Sequence, residues 1–298
     1  MKNGTNGAFI SGLEGVVAAQ TKLSRVDGMA GELIIGGFAV EELAAQATFE
    51  ETVYLLWHGR QPINSDPGLG HAANSLYMLT GHQPGPAQIR GLETYWNTVI
   101  DHGLNASTFA ARVIIATRSD LVSAVTGAVG ALKGPLHGGA PGPALDTVFT
   151  IGAPENAEPV LRAKLERGER LMGFGHRVYK VRDPRAEVLA AAAAQMYRAE
   201  GDMALYDLAK QVEETAVSLL AEYKPGRNLQ TNVEFYTALL LHGLGLDSDL
   251  FTPAFALSRV AGWIGHCLEQ QDYGRLIRPK AEYVGEYGRS WQPIAQRA

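Results

Sequence analysis

Helical periodicity beyond residue 36 is the feature that most limits the folds open to this chain. Apolar residues recur there at three- and four-residue steps, which predicts helices over 41–58, 72–79, 88–100, 107–131, 187–199, 205–219, 232–242 and 253–270. Strands are predicted only before that point, where Asp27 and Gly28 suit a tight turn between two apolar stretches, Leu23–Val26 and Leu33–Ile35. The sequence therefore predicts an all-α protein with a short N-terminal β-hairpin.

Composition and charge exclude several classes of protein. The chain has 298 residues, and 26 Lys and Arg against 31 Asp and Glu give a net charge of -5, so we expect no nucleic acid partner. The single cysteine, Cys267, excludes an internal disulfide framework and favours a reducing cytoplasm. No basic start precedes an apolar run, and Arg259 interrupts the apolar stretch 251–268, so neither a leader segment nor a membrane span is expected.

Two histidines lie in glycine-rich segments, where the backbone can approach a ligand closely. His137 stands in GPLHGGAPG, and His176 follows GFG in GFGHRVYKVRDPR. A neutral imidazole can donate a hydrogen bond to an oxygen that becomes negative in a transition state, which favours carbonyl chemistry. A metal site is less favoured, because none of the eight histidines form a His-x-x-x-His pair. We therefore expect no metal and no other cofactor.

Cations are concentrated just after His176, where a helix is about to begin. They are Arg177, Lys180, Arg182 and Arg185. A helix N-terminus favours acids over cations, so this cluster indicates an anionic ligand. Asp183 and Pro184 are predicted to open the helix and to fix the direction of Arg185, whose planar fork matches a carboxylate.

Two further polar groups are candidates for chemistry. Glu234 in TNVEFY has apolar neighbours that would raise its pKa and suit a general base if it faced a closed pocket, although spacing alone is more typical of a solvated helical glutamate. Asp101 and His102 precede the helix predicted over 107–131, for which Asn105 or Ser107 is the expected N-cap.

Taken together and in order, segments along the whole chain resemble signatures of the citrate synthase family in its shorter bacterial and archaeal form. The segments are GLEGVVAA at 12–19, DHGLNAST at 101–108, GALKGPLHGG at 130–139, GFGHRVYKVRDPRA at 173–186, NVEFY at 232–236 and LIRPKAEYVG at 276–285. The resemblance implies a two-domain helical fold, with a large domain from 1–138 and 246–298 and a small domain from 139–245.

The same resemblance implies a Claisen-type condensation of the tricarboxylic acid cycle. The α-carbon of acetyl-CoA, a substrate rather than a cofactor, would attack the keto carbon of oxaloacetate, and the thioester would then be hydrolysed. By position, His137 would hold the thioester oxygen, His176 would polarise the ketone, and Glu234 would be the base.

The resemblance also implies which residues bind the substrates. Those expected on the oxo-acid carboxylates are His102, Arg185 and Arg259. Those expected along CoA are Gly173, Phe174, Gly175 and Asn232. Arg278 matches an arginine that the family sends into the neighbouring subunit's site, so a homodimer is expected.

Three departures from the family pattern stand out. Glutamate at 234 replaces the usual aspartate, and GGAPGPA at 138–144 lacks the usual Asn-Glu. Only residues 63–65 separate GRQP from DPGLGHAANSLYML, where the family has further helices of the large domain. Two alternatives therefore stay open: a 2-methylcitrate synthase that uses propionyl-CoA, and a catalytically silent relative that binds CoA or oxaloacetate.

Overall fold

A small sheet opens the part of the protein that the computed structural model describes, which comprises residues 17–61, 70–134, 137–138, 141–175 and 181–296. Strands β1 (Ser24–Asp27), β2 (Glu32–Ile35) and β3 (Phe38–Ala39) pair antiparallel in that order. The predicted hairpin is confirmed, but its turn is a loop over 28–31 rather than a tight two-residue turn. The expectation of no strand after residue 36 is wrong, because a two-residue strand leaves no periodic pattern.

Helices form most of the rest of the described chain. They are α1 (Val40–Gln46), α2 (Phe49–His58), α3 (His71–Thr80), α4 (Pro86–Val99), α5 (Ala106–Ile115), α6 (Leu121–Leu132), α7 (Pro141–Ile151), α8 (Ala157–Glu166), α9 (Pro184–Glu200), α10 (Ala204–Tyr223), α11 (Val233–Gly243) and α12 (Phe251–Tyr273). None of the helices in these residues is long and apolar enough to cross a membrane.

Two predicted helices are each divided in the structure. The helix predicted over 41–58 breaks between α1 and α2, where Thr48 and Glu51 form a capping box with bonds of 3.2 and 2.8 Å. The helix predicted over 107–131 breaks between α5 and α6, where Arg118 has φ +66° and Asp120 caps α6. In both places a local capping signal overrides a continuous apolar pattern. Helices α7 and α8 had no counterpart in the sequence analysis.

Helix α12 is bound tightly to the C-terminal half of α4. Three side chains bond across to backbone carbonyls: Trp96 Nε1 to Ala254 O at 3.1 Å, Ser258 Oγ to Trp96 O at 2.6 Å, and Arg259 Nε to Val99 O at 2.7 Å. A side chain at Gly262 would collide with the carbonyl oxygen of Ile100, so the close approach requires glycine there. This junction positions Arg259 and residues 100–102.

Buried apolar side chains form two clusters. The larger one runs from Leu23 to Ala261 and includes residues of α1, α4, α9 and α11. The smaller one joins α5 and α6 to Trp263 and Cys267 of α12. The division into a large domain and a small domain at 138/139 and 245/246 stays a prediction.

Candidate active site

Glu234 lies in the first turn of α11, at a junction of two loops. Asn232 caps the helix, its Oδ1 accepting from the Glu234 backbone N–H at 3.0 Å. The side-chain Nδ2 of Asn232 donates to the Gly175 carbonyl at 2.8 Å, and the backbone N–H of Asn232 donates to Gly173 O at 3.0 Å. The predicted CoA loop and the predicted base are therefore fixed to each other through one asparagine.

The segment Gly173–Gly175 depends on its two glycines. They have φ of +89° and +79°, a backbone conformation that L side chains rarely adopt. A Cβ at Gly173 would also lie 3.0 Å from Phe235. Between them, Phe174 pairs with Thr231 in an antiparallel bridge, and its ring centroid lies 5.3 Å from that of Phe235. The GFG pattern thus reflects a loop that packs directly against the start of α11.

Burial changes the electrostatics of Glu234. Its pKa is raised, chiefly because burial disfavours the charged carboxylate, with Arg185 opposing the change and Asp183 adding to it. Glu234 is half-buried rather than exposed, which does not fit a fully solvated helical glutamate. A raised pKa makes the carboxylate a stronger base, which suits a group that removes a proton.

Arg185 is held at the start of α9 by the residue that caps that helix. Asp183 accepts from the Arg185 backbone N–H at 3.0 Å, from Nε at 3.0 Å and from Nη2 at 2.7 Å, and both side chains are almost fully buried. The predicted cap and its effect on the direction of Arg185 are confirmed. Arg182 likewise faces carboxylates, with Glu187 at 3.2 Å and Glu213 at 3.1 Å, so both arginines already have acids beside them.

His137 lies at the other side of the candidate site, in the loop after α6. Its Nε2 is 2.8 Å from Ser107 Oγ, which is also 2.8 Å from Asn105 Oδ1 and receives a bond of 3.1 Å from Trp263 Nε1. Asn105 Oδ1 can only accept, so Ser107 Oγ gives it its one proton and accepts from His137 Nε2, which carries the imidazole proton in this arrangement. If the Ser107 hydroxyl turns to donate to Nε2 instead, the imidazole proton lies on Nδ1 and is available to a ligand.

The imidazole of His137 is neutral at physiological pH. Burial lowers its pKa to about 4, and the positive charge of Arg259 contributes in the same direction. The Phe255 ring contacts both groups: it meets His137 edge-on at 6.4 Å between centroids, and the Arg259 guanidinium lies over it at 4.6 Å. His137 can therefore donate a hydrogen bond without bringing a further positive charge to the site.

Two arginines from distant parts of the chain affect each other electrostatically. Arg185 on α9 and Arg259 on α12 are both almost fully buried, and both charges oppose the burial that raises the pKa of Tyr95. The pKa of Arg259 itself is lowered to about 10 by burial, with Asp101 opposing and Arg185 reinforcing that change. These two predicted carboxylate ligands are therefore both buried, and the charge of Arg185 affects the pKa of Arg259.

The remaining predicted site residues have different placements. His102 is half-buried in the loop between α4 and α5, next to buried Asp101. Arg278 is exposed in the segment 274–296. His176, like Arg177 and Lys180, lies outside the described residues.

Several residues around the site were missed by sequence analysis. Ser107 was considered only as a helix cap, although Asn105 is the cap and Ser107 contacts His137. Trp263 and Phe255 on α12 approach the site from more than 100 positions away, so no local pattern could identify them.

Comparisons with known proteins identify the family. The family model described as "Citrate synthase, C-terminal domain" matches residues 12–66 and 59–280. The two matched stretches meet where the sequence analysis places missing helices.

Curated relatives support the same assignment. Citrate synthase 2 of Bacillus subtilis is 45% identical over 240 residues, which cover 80% of this chain and 63% of that protein. The citrate synthase of Haloferax volcanii is 34% identical over 386 aligned positions, covering 98% of this chain and all of that protein. The chain thus spans less than two thirds of the Bacillus relative's length. The Haloferax alignment is longer than the chain itself, as an internal deletion requires.

Solved structures match in fold. The citrate synthase of Pyrobaculum aerophilum superposes with a TM-score of 0.86 at 31% identity, covering 99% of this chain and 97% of that one. The Thermoplasma acidophilum enzyme, solved as a ternary complex with carboxymethyl coenzyme A and oxaloacetate, gives 0.84 at 27% identity, covering 96% and 98%. The chain belongs to the citrate synthase family.

Proposed function

We propose that this protein condenses acetyl-CoA with oxaloacetate to give citrate and free CoA. The observation that carries the proposal is the burial of two guanidinium groups, Arg185 and Arg259, whose charges affect each other and Tyr95. Two buried guanidinium groups suit a small molecule with two carboxylates. The Thermoplasma relative was solved with such a molecule, oxaloacetate, together with a CoA derivative.

The first step is formation of an enol or enolate from the acetyl group. Glu234 removes a proton from the methyl carbon, and burial supports this role by raising the pKa of its carboxyl group. His137 donates from Nδ1 to the thioester oxygen, where negative charge develops. The raised basicity of Glu234 and the neutral state of His137 suit these two complementary tasks.

The second and third steps use the carbon nucleophile and then water. The enol carbon bonds to the keto carbon of oxaloacetate, whose oxygen gains a proton, with His176 as the expected donor. Water then cleaves the thioester, so citrate keeps the new carbon–carbon bond and CoA leaves as a thiol. Gly173, Phe174, Gly175 and Asn232 are the residues along which we place CoA. No metal or other cofactor has a role in these steps.

A homodimer completes the proposal. Apolar side chains in the segment 274–296 are largely exposed: Leu276, Tyr283, Val284, Tyr287, Trp291 and Ile294. An exposed apolar segment of this kind is typical of an interaction site, and a second copy of the chain is the occupant we propose. In that arrangement Arg278, which lies in the same segment, serves the partner's oxaloacetate site.

The deciding experiment follows release of free thiol. The purified protein is mixed with oxaloacetate and acetyl-CoA, then with oxaloacetate and propionyl-CoA. Thiol release with acetyl-CoA at the higher kcat/KM supports the proposal, and preference for propionyl-CoA assigns a 2-methylcitrate synthase instead. If neither thioester is consumed while oxaloacetate still raises the melting temperature, the chain is a binding relative and the proposal is wrong.

A further inference from the structure

A buried polar chain runs through the protein behind the candidate carboxylate-binding groups. Asp101 and His266 have no solvent exposure, and Arg112 is 4% exposed. His266 Nε2 lies 3.2 Å from Asp101 Oδ1 and 3.4 Å from Oδ2, and His266 Nδ1 lies 3.0 Å from Arg112 Nη1. We call Asp101, His266 and Arg112 the buried relay.

Arginine fixes the tautomer of the histidine in this relay. The guanidinium of Arg112 only donates hydrogen bonds, so Nδ1 of His266 must accept one and cannot carry a proton. The imidazole proton therefore lies on Nε2 and is donated to the Asp101 carboxylate. Glu269 accepts from Arg112 Nη1 at 2.6 Å, which balances the charge at the far end of the relay.

The near end of the relay lies among the predicted carboxylate ligands. Asp101 precedes His102 in the chain, and its charge supports the charged form of Arg259. Burial alone would raise the pKa of Asp101, but His266, Arg259 and the Ser24 hydroxyl outweigh burial and hold the pKa below its usual value. Asp101 is therefore a fixed anion beside a buried cation.

The far end of the relay reaches the segment that carries Arg278. Arg112 Nε donates to Gln270 Oε1 at 3.1 Å, and Gln270 Nε2 donates to the Arg275 carbonyl at 3.0 Å. Arg275 is three residues before Arg278, where α12 has ended and the exposed segment begins. One continuous hydrogen-bonded chain thus connects the elements that hold His102, Arg259 and Arg278.

We propose that Asp101, His266 and Arg112 are positioning residues for oxaloacetate binding: the relay holds Asp101 as an oriented anion that sets Arg259 and His102 for the substrate carboxylates. This inference rests on the proposed function, because it concerns the same substrate. A buried acid whose task was only to stabilise the fold would not need to be connected to all three of these elements. The relay touches neither His137 nor Glu234 in the described residues, so its effect falls on oxaloacetate rather than on proton transfer.

The test separates oxaloacetate affinity from turnover. Asp101→Asn keeps the shape and removes the charge, and His266→Leu removes both relay contacts. Both are expected to raise the Kd and KM for oxaloacetate by roughly 10- to 100-fold, as for outer-shell partners of other sites. The KM for acetyl-CoA, and kcat at saturating oxaloacetate, should stay within about three-fold, since a factor of that size is under 1 kcal/mol. The dissociation constant is measured by calorimetry and the kinetic constants by thiol release.

Conservative and matched variants distinguish positioning from a purely structural role. His266→Gln keeps a donor for Asp101 and an acceptor for Arg112, so it should restore most of the oxaloacetate affinity. Glu93→Gln removes another buried acid, one paired with Arg90 at 3.1 Å on α4, and should leave oxaloacetate binding unchanged. If Asp101→Asn is too unstable to purify, Arg112→Lys applies the same test from the far end, with a weaker effect in the same direction.

The possible failures are distinguishable. If the parent protein binds oxaloacetate and Asp101→Asn binds it within two-fold of the parent, this inference is wrong while the proposed function stands. The same holds if the relay variants only lower the melting temperature. A parent protein that binds no oxaloacetate would overturn the proposed function, and this inference with it.

Discussion

Burial has opposite outcomes in two regions of the candidate site. At His137 and Glu234 it favours the neutral form, lowering the histidine pKa to about 4 and raising that of the glutamate. In the buried relay, Asp101 is more deeply buried than either of them, yet partners keep its pKa below the usual value. The pKa shifts differ because the neighbouring groups differ. Asp101 faces a histidine donor and a buried arginine, whereas no opposite charge outweighs burial at His137 or Glu234.

This difference matches two different tasks. Uncompensated burial keeps the donor His137 neutral and makes the Glu234 carboxylate a stronger base, which suits the two roles proposed for them. Groups that recognise a dianion must stay charged, which requires each buried charge to have a partner. The same low-polarity interior therefore serves chemistry in one region and recognition in the other.

The sharpest way to break this comparison is Glu234→Gln. The amide keeps the size of the side chain but cannot accept a proton from the acetyl methyl group, so kcat should fall by about 10²- to 10⁴-fold. Oxaloacetate affinity should change little, because recognition belongs to the other region. Thiol release and calorimetry measure the two effects.

Its matched control is Glu214→Gln, an exposed glutamate on α10. That variant should keep the turnover of the parent protein. Unchanged turnover in Glu234→Gln would remove this residue from the mechanism and leave its raised pKa as a consequence of packing alone.

His137→Ala is expected to have the next largest effect. Loss of one donor to a developing oxyanion lowers kcat by about 10²- to 10³-fold in other enzymes, and the neutral imidazole is the donor we place on the thioester oxygen. Exposed His82 provides the control, since His82→Ala should be as active as the parent protein. Equal kcat in the parent and in His137→Ala would exclude the proposed role.

Sequence reasoning predicted the fold class and most helices, because amphipathic periodicity and capping residues are local signals. It failed where two local signals compete. At Thr48 and Asp120 the helical apolar pattern continues through the residue, but the residue caps a new helix, so the predicted single helix is two. It also missed α7 and α8, for which it made no prediction.

For the site, the glycine-wrapped and charged loops could be found from the sequence, whereas their supporting partners could not. His266 lies 165 positions from Asp101, and only the packing of α12 against α4 brings them together. A histidine inside an apolar helix gives no sign of its tautomer or of its partner. Identifying the relay therefore required the tertiary structure.

A third prediction concerns Arg278 and the proposed homodimer. Hydrogen bonds to charged groups contribute about 1.5–3 kcal/mol, so Arg278→Gln should raise the KM for oxaloacetate by about 10- to 100-fold. If Arg278 serves the partner subunit, chains carrying Glu234→Gln and chains carrying Arg278→Gln should complement each other when co-refolded.

Random pairing in a two-fold dimer makes about half of the dimers hybrids, each with one intact site, so activity should return to about a quarter of the parent value. A mixture no more active than the average of its two components would contradict the shared site. Arg275→Gln, three residues earlier in the same exposed segment, is the control: it changes a side chain but not the carbonyl that Gln270 contacts, and it should need no partner.

The smallest predicted effect is in the pH dependence of stability. It tests whether burial shifts the pKa values of His137 and Glu234 in opposite directions, as expected if it favours the neutral form of both. The folded-state pKa of His137, about 4, is below its ordinary value of about 6.5, so its contribution to stability is present above pH 6.5 and is lost as pH falls towards 4. Glu234 has a raised folded-state pKa, so its contribution is present at low pH and is lost as pH rises through that value.

Relative to the parent, the melting temperature of His137→Ala should therefore improve on acidification, whereas that of Glu234→Gln should improve as pH rises. His82→Ala and Glu214→Gln should follow the parent at every pH; differences of the same sign for the two site variants would show that burial does not control both groups.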